Sequence, residues 1–382
     1  MTLRFVSMKL SACRCALACL LGVPLSLFGV DASAEQPVRR LADASQEGLR
    51  DGLDARFQQG MHVVLTGVGA RFSIQEEGGS GVLVIVDGEV LQFDMGPMTV
   101  DRLAQIGVHP KAVDHLFISH LHMDHISDFP RFISIHKHTG GQVRVYGPAG
   151  TRNMTQGADR FLSFDNDMMS RMTTLSLAYP VTDLTKSGVV LSTENTTVTA
   201  AQTAHLDIPG PYSFAYRVDS EYGSVVISGD TVPSLNVVDL AKGADLLIHE
   251  AVFDESMYPP PDRSDGALAQ LTPYGREIVR RPTIKLADGA RTDGFGHSEI
   301  SEVAKVADKA GVGKLVLYHR PPVAATQTER DLVDLWGLPQ TQADPALIAA
   351  FLAAASNNFD GPIVMGMPLT VFEIVDTDKK AE

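Results

Sequence analysis

Three histidines and one carboxylate fall within six positions of the sequence, as His120, His122, Asp124 and His125. A short buried strand is predicted just before them, and a helix just after. Residues two apart on an extended segment point the same way, so His120 and His122 can hold one ion. Asp124 and His125 lie past the bend and can face a second ion. Imidazole and carboxylate suit zinc and related metals, so the spacing predicts a metal centre at a strand-to-loop junction.

Further candidate ligands recur where later strands or helices are predicted to end or begin. They are His205, Asp230, His249 with its neighbour Glu250, His297 and His319. For His249 a packing role is an equal alternative, because Glu250 could serve instead. Asp94 follows an early strand and either supports a ligating histidine from behind or occupies a turn. The other histidines, including His136 and His138, are interpreted as surface or packing residues.

The composition is that of an ordinary globular protein, with 382 residues, 44% hydrophobic and 20% charged. This length suits one large domain or two small ones. The formal net charge is −14 and the sequence pI is about 5.3. An acidic chain without a Lys/Arg run is a poor candidate for holding nucleic acid by its phosphates. We therefore expect a small-molecule substrate and no nucleic acid.

Residues 1–34 are interpreted as a secretory signal peptide. A basic start precedes an apolar run over 15–30, which is short for a membrane span, and Ala32-Ser33-Ala34 forms a cleavage-like site before Glu35. A start at Met8 would give a tidier signal, and both starts stay open. The three cysteines all lie in this segment: Cys13, Cys15 and Cys19. The expectation is a periplasmic or secreted protein without disulfides and without stable membrane association.

Strands and helices alternate along the rest of the chain, which predicts a layered α/β architecture. Residues 35–59 are a lead-in, either an amphipathic helix (Leu49, Leu53 and Phe57 at helical spacing) or a linker. The main domain spans 60–376 and contains an irregular insertion at 252–296. Strands are predicted at 61–66, 82–86, 90–93, 115–119, 143–147, 196–201, 213–218, 224–228, 245–248, 315–317 and 363–374. Helices are predicted at 99–106, 235–241, 298–310 (with Ser298 as N-cap), 329–336 and 345–355, with another beginning after 126 and a helical excursion within 151–187 whose methionines fill a core or line an apolar wall.

Taken together, these residues and elements resemble the metallo-β-lactamase fold superfamily. Within it, the likeness is to the ribonuclease Z-like branch, especially its exported arylsulfatase-type members. The matching segments are Thr66-Gly67-Val68-Gly69, Phe93-Asp94-Met95-Gly96, the motif at 120–125, His205, Ser228-Gly229-Asp230-Thr231, the segment at 244–250 ending in His249-Glu250, Gly296-His297-Ser298 and His319. They cover roughly 60–375. The resemblance implies an αββα sandwich of two mixed sheets flanked by helices, with two divalent metals, expected to be zinc, at one edge.

The resemblance also implies a role for each matched residue. The first metal would be held by His120, His122 and His205, the second by Asp124, His125 and His319, with Asp230 bridging both. Two close ions can share a hydroxide that is a nucleophile near neutral pH, and Asp124 would orient it. His297 would stabilise charge on the substrate or protonate the leaving group, and Glu250 would orient a neighbour from behind.

The class of substrate is indicated by the sequence between the motif segments, namely the 205–230 interval and the 252–296 insertion. The tRNA-processing members carry an RNA-gripping arm between the positions matching His205 and Asp230, whereas this interval is only 25 residues here. The leading hypothesis is hydrolysis of small anionic esters, either aryl sulfates or phosphodiesters. The insertion at 252–296 is either a lid or wall of the site or an exposed loop. Its candidate substrate contacts are Tyr258, Tyr274, Arg276, Arg280 and Arg281.

Three other functions stay open. A lactonase or β-lactamase-like enzyme is the main alternative, although Asp230 makes a true β-lactamase less favoured. A diiron oxidoreductase would usually place a glutamate at the position of His122. A binding protein that has lost catalysis is disfavoured by the complete set of ligands. A homodimer is a further expectation, because relatives are often dimers.

Overall fold

The computed structural model describes residues 39–40, 49–50, 52–70, 77–172, 178–205, 210–252, 284–285, 291–292, 296–319 and 345–375. These residues all belong to one compact unit, Arg39–Glu382. The predicted signal peptide, the helix predicted at 329–336 and most of the 252–296 insertion lie outside the described residues, with all five candidate substrate contacts of the insertion. Within the described ranges, no helix combines the length and apolar character that crossing a membrane requires.

Two mixed sheets form the centre of the fold. The strands of the first sheet are β1 (Arg39–Arg40), β4 (Met61–Val68), β5 (Ser80–Val86), β6 (Glu89–Phe93), β7 (His115–Phe117), β8 (Arg144–Gly147), β9 (Val181–Asp183) and β19 (Thr370–Ile374). The strands of the second sheet are β10 (Gly188–Ser192), β11 (Thr197–Gln202), β12 (Phe214–Ser220), β13 (Gly223–Ile227), β14 (Leu246–Glu250), β17 (Leu315–Tyr318) and β18 (Ile363–Met365). The first sheet has the order β1-β19-β4-β5-β6-β7-β8-β9, and the second has the order β10-β11-β12-β13-β14-β17-β18.

Two short hairpins lie beside these sheets, β2 (Leu49–Arg50) with β3 (Leu53–Asp54), and β15 (Ile284–Lys285) with β16 (Arg291–Thr292). The described helices are α1 (Thr99–Gln105), α2 (Met123–Ile126), α3 (Phe129–His138), α4 (Thr151–Phe161), α5 (Ser163–Ser170), α6 (Leu235–Ala241), α7 (Ile300–Ala310) and α8 (Pro345–Ser356). Single 3-10 turns lie at Ala55–Phe57 and Pro110–Ala112.

Alternation along buried strands builds four layers. Within β4, Met61, Val63 and Leu65 face the other sheet, whereas Val64 faces the outer helices. Both faces of such a strand are covered, so its sequence is a nearly continuous apolar run. A central core lies between the two sheets, and one further core lies under the helices on each outer face. The predicted αββα sandwich is therefore confirmed.

Several predicted elements differ from the structure. The segment 363–374 is two strands in different sheets, because the chain crosses from β18 to β19 at 366–369, where Leu369 has a φ of 62°. The segment with Leu53 and Phe57 forms a hairpin strand and a 3-10 turn, so the helical alternative for this part of the lead-in is wrong. The N-cap of α7 is Glu299; the Ser298 hydroxyl donates to Thr231 O instead.

The excursion at 151–187 is only partly helical. After α4 and α5, the chain enters β9, which extends the first sheet. Met168 and Met172 are 45% and 73% exposed, so they do not fill a core; the alternative, that they line an apolar wall, stays a prediction. Met154, in contrast, packs against the core of the first sheet.

Candidate metal centre

Loops that follow the carboxyl ends of strands bring the candidate residues together. Strands β6, β7 and β8 run parallel, as do β13, β14 and β17, so their carboxyl ends meet at one edge of each sheet. The segment 120–125, which carries His120, His122, Asp124 and His125, follows β7. His122 has extended backbone and precedes α2, whose first turn carries Asp124 and His125. Asp230 follows β13 and His319 follows β17, so the fold itself gathers ligands that are far apart in sequence.

A glycine permits the close approach of the two halves. Gly229 has a φ of 59°, and a Cβ there would lie 2.7 Å from Cβ of Ser119. A larger side chain would push the Asp230 loop away from the segment 120–125. Gly229 therefore sets the distance at which Asp230 meets the histidines.

The first ligand group consists of His120, His122, His205 and Asp230. Nδ1 of His122 lies 2.9 Å from Nε2 of His120 and 3.1 Å from Nε2 of His205. Oδ2 of Asp230 lies 3.6 and 3.7 Å from the Nε2 atoms of His120 and His205. Ligand atoms around a tetrahedral zinc ion lie about 3.4 Å apart, because each Zn–N bond is about 2.1 Å. The group therefore has the spacing to hold one such ion.

The second ligand group consists of Asp124, His125, Asp230 and His319. Nε2 of His319 lies 3.0 Å from Oδ2 of Asp124 and 3.3 Å from Oδ2 of Asp230. Nε2 of His125 lies 3.6 Å from Oδ2 of Asp124 and 3.3 Å from Oδ1 of Asp230. Asp230 belongs to both groups, and all ligand atoms within each group lie within 4.8 Å of one another. One carboxylate can thus serve two ions.

The protonation of the cluster favours bound cations. Burial lowers the pKa of His205 to about 3, which leaves its ring neutral and able to donate a lone pair. Burial opposes ionisation of Asp230, but His319 and His125 hold the pKa of Asp230 well below its usual range. Burial opposes ionisation of Asp124 too, yet His125 and His319 lower its pKa to about 2. Buried carboxylates that stay charged need cationic partners, and metal ions supply them.

Two further observations fit a metal. Within the described part of the chain, the buried atoms Oδ1 of Asp124 and Oδ1 of Asp230 accept no hydrogen bond. Burial alone would lower the pKa of His125, but Asp230, Asp94 and Asp124 together raise it well above its usual range. The three carboxylates thus favour a positive charge at this place, which a protonated His125 or a divalent ion can supply. A set of imidazoles and carboxylates suits zinc.

Asp94 lies behind the second group. Its Oδ2 accepts a hydrogen bond from Nδ1 of His125 at 2.8 Å, and its Oδ1 accepts one from the backbone N–H of Ser119 at 2.7 Å. Of the two interpretations of Asp94, the structure therefore favours support of a ligating histidine. Ser119 was not singled out from the sequence, and its place directly before His120 was the only available signal.

Glu250 and His297 lie beside the two groups. Oε2 of Glu250 is 3.3 Å from Nδ1 of His297, and its Oε1 accepts hydrogen bonds from the N–H groups of Ser298 and Thr231 at 2.8 and 3.3 Å. With His319 they form a third group of possible ligands. Glu250 is fully buried, whereas the His297 side chain is 17% exposed. His297 can therefore reach a substrate, and Glu250 can orient it.

His249 belongs to none of these groups. Its Nδ1 lies 2.6 Å from Glu250 O, and burial lowers its pKa to about 4. Adjacent residues on a strand face opposite ways, so only one of the pair can face the site. That residue is Glu250. His136 is likewise a packing residue, buried with its Nε2 donating to Val113 O at 3.2 Å.

Comparison with known proteins agrees with this geometry. The family model described as "Metallo-beta-lactamase superfamily" matches residues 66–286. A ribonuclease Z of Mycobacterium sp. (strain KMS) is 30% identical over 279 residues, covering 70% of this chain and 87% of that protein. A ribonuclease Z of Mycobacterium avium (strain 104) is 27% identical over 278 residues, covering 71% of this chain and 90% of that protein. The crystal structure of human tRNase Z, short form, superposes with a TM-score of 0.54 and 21% identity, covering 82% of this chain and 100% of that chain.

These relatives correct one expectation. The sequence predicted a small-molecule substrate and no nucleic acid, and the exclusion of nucleic acid is wrong, because the matching relatives are ribonucleases by name. Net charge is a property of the whole surface, whereas the cations at such a site are the largest local charges, so acidity does not exclude a phosphate substrate. The same comparisons establish the family: the chain belongs to the metallo-β-lactamase superfamily and, within it, to the ribonuclease Z-like branch.

Proposed function

We propose that this protein hydrolyses phosphodiester bonds with two divalent metal ions, specifically zinc, held by the two ligand groups. The observation that carries the proposal is Asp230, a fully buried carboxylate shared by both groups. Divalent ions there would neutralise charge on the phosphoryl oxygens and lower the pKa of a water. A phosphodiester, whose single negative charge is shared by two non-bridging oxygens, is the substrate that such a pair of cations complements.

Three residues beside the two proposed metal positions have separate roles in the reaction: Asp124, His297 and Glu250. Asp124 is 3% exposed and offers its Oδ1 without a hydrogen bond from any described residue, so it can hold the attacking water in line. His297 is more exposed than Glu250, and its Nδ1 lies 4.0 Å from Oδ2 of Asp230. A proton on the His297 ring can therefore pass to the departing oxygen. Glu250 holds that ring in place from behind.

Phosphodiesters are proposed ahead of the other esters because the relatives are named ribonucleases, and RNA is joined by phosphodiester bonds. Aryl sulfate esters share the tetrahedral anionic centre and are the second substrate class in the proposal. RNA, an aryl phosphodiester and a small cyclic phosphodiester all present the same bond. Export to a periplasm or medium, as the first 34 residues suggested, is part of the proposal and is checked by the cell fraction that contains the processed chain.

A substrate panel tests the proposed function. The zinc-loaded protein is assayed with bis(p-nitrophenyl) phosphate, a short RNA, p-nitrophenyl sulfate, a lactone and a chromogenic cephalosporin. We expect turnover of the phosphodiesters to exceed that of the lactone and cephalosporin by at least tenfold. His62→Ala is the matched control, because His62 lies on β4 with its ring bonded to Gln59 O, away from the metal centre. Turnover of the lactone or cephalosporin above that of every phosphodiester would refute the proposal.

A further inference from the structure

One carboxylate and one hydroxyl connect a ligand of each proposed metal position. Asp94, Ser119, His120 and His125 are all buried, with 3% exposure or less. Oγ of Ser119 donates to Oδ2 of Asp94 at 2.8 Å and lies 3.1 Å from Nδ1 of His120. The same Oδ2 lies 2.8 Å from Nδ1 of His125. His120 belongs to the first ligand group and His125 to the second.

The direction of these hydrogen bonds follows from the groups present. A carboxylate only accepts, so Ser119 gives its single hydroxyl proton to Asp94. The hydroxyl oxygen then accepts a hydrogen bond from the Nδ1–H of His120, and Asp94 accepts one from the Nδ1–H of His125. Both rings therefore carry a proton on Nδ1, so Nε2 is the atom that each ring would offer to a metal, with His125 giving up its second proton when an ion binds. The tautomer of one histidine in each group is set by the same two residues.

The backbone holds this pair rigidly. Asp94 has a φ of 56°, a conformation that aspartate and asparagine tolerate better than most residues. Its N–H donates to Phe117 O at 2.8 Å, and the next N–H, of Met95, donates to His125 O at 2.6 Å. The turn after β6 and the loop after β7 are thereby joined on both sides of the carboxylate. Neither histidine ring can turn without breaking its own hydrogen bond to Ser119 or Asp94.

His205, by comparison, is oriented separately. Its Nδ1 donates to the backbone carbonyl of Gly296 at 3.0 Å, with no link to Asp94 or Ser119 among the described hydrogen bonds. Support for the two positions is thus shared at His120 and His125 and independent at His205.

We propose that Asp94 and Ser119 act as one positioning unit that couples the two metal positions, so that ordering His120 at one position orders His125 at the other. The inference rests on the proposed two-ion function and adds the residues through which the ions influence each other. Binding at one position and binding at the other are then linked by a coupling free energy. Loss of a hydrogen-bonded supporting group typically weakens metal binding about 10- to 100-fold.

The test is metal binding, with Ser119→Ala as the main variant. Metal-free protein is titrated with Co²⁺ in competition with a chromogenic chelator, which gives both stepwise dissociation constants. We expect Ser119→Ala to raise both constants, with at least a tenfold rise in their product. Ser80→Ala is the matched control, because the Ser80 hydroxyl is buried and makes no hydrogen bond to any described residue. Unchanged constants in Ser119→Ala, or a rise in only one of them, would overturn the proposal.

Histidine NMR supplies a measurement specific to each ring. In zinc-loaded protein, long-range ¹H–¹⁵N spectra should show Nδ1-protonated rings for His120 and His125, and Ser119→Ala should shift both. A shift of the His120 signals alone would contradict a shared unit. Asp94→Asn keeps the backbone preference at position 94 but offers an amide group, so we expect it to weaken both binding steps more than Ser119→Ala. If Asp94→Asn does not fold, Ser119→Ala alone decides, since it keeps the contact of Asp94 with the Ser119 N–H.

These results are separable from the proposed function. Native protein that binds two ions but cleaves no phosphodiester would defeat the proposed function and leave the coupling measurable. Native constants in Ser119→Ala, together with phosphodiester turnover, would defeat the coupling and leave the proposed function standing.

Discussion

Replacing Glu250 with glutamine separates the orientation of His297 from the binding of metal. The amide oxygen of the new side chain would still accept the Ser298 N–H, which now donates to Oε1 at 2.8 Å. The amide nitrogen would replace Oε2, which lies 3.3 Å from Nδ1 of His297. A hydrogen bond to a charged group contributes about 1.5–3 kcal/mol. Each change of about 1.36 kcal/mol alters a rate tenfold, so Glu250→Gln should lower kcat about 10- to 150-fold.

The assay is release of p-nitrophenolate from bis(p-nitrophenyl) phosphate, with metal content measured on the same samples. We expect kcat to fall in Glu250→Gln while KM changes little and two ions stay bound. Glu302→Gln is the matched control, because Glu302 is a buried glutamate paired with Lys305 on the same helix, at 2.9 Å. Native turnover is expected in that variant.

A double-mutant cycle decides whether Glu250 acts through His297. If it does, Glu250→Gln combined with His297→Ala should be no slower than His297→Ala alone. Additive losses in the double variant would refute the orientation of His297 by Glu250. Loss of an ion from His297→Ala would assign that histidine to metal binding, against the role proposed for it.

Three other parts of the structure give shorter predictions. His122→Ala should abolish phosphodiester turnover and lower metal content, and retained activity with native metal content would refute its place in the first group. Gly96→Ala should destabilise the fold by about 1–3 kcal/mol and so lower the melting temperature, because the alanine Cβ would clash with the carbonyl oxygen of Asp124. An unchanged melting curve would contradict this. Burial lowers the pKa of His136 from 6.5 to about 4, so the unfolded chain binds an extra proton between those values and stability falls as pH drops through that window. Urea unfolding of His136→Leu should show a smaller loss over the same window, and an identical loss would mean that His136 does not titrate as described.

Much of the candidate site was predictable because its chemistry is local. The spacing of His120, His122, Asp124 and His125 is visible in six residues. Asp230 and His319 were predictable for a different reason, since both follow short apolar strands. In a parallel sheet the carboxyl ends of strands lie at one edge, so residues distant in sequence can be assigned to one place.

Other features could not be predicted from residue types. His249 and Glu250 are both possible ligands, and only the face that each presents distinguishes them. Serine is a common residue type, and the role of Ser119 depends on its hydrogen bond to Asp94, which is distant in sequence. Gly366 and Pro368 mark the break between β18 and β19, but residue types do not show that the two strands join different sheets. Nucleic acid was excluded from the acidic net charge, the expected export and the short interval between His205 and Asp230, although the charge that a phosphate meets is the local charge at the site.

Metal stoichiometry tests the central claim most directly. The purified protein is stripped with a chelator, reloaded with zinc, and analysed for zinc per chain by elemental analysis after removal of excess metal. Two ligand groups that share Asp230 predict two zinc ions per chain in the native protein. A single ion or none after reloading, or protein that retains only redox-active iron, would contradict the account.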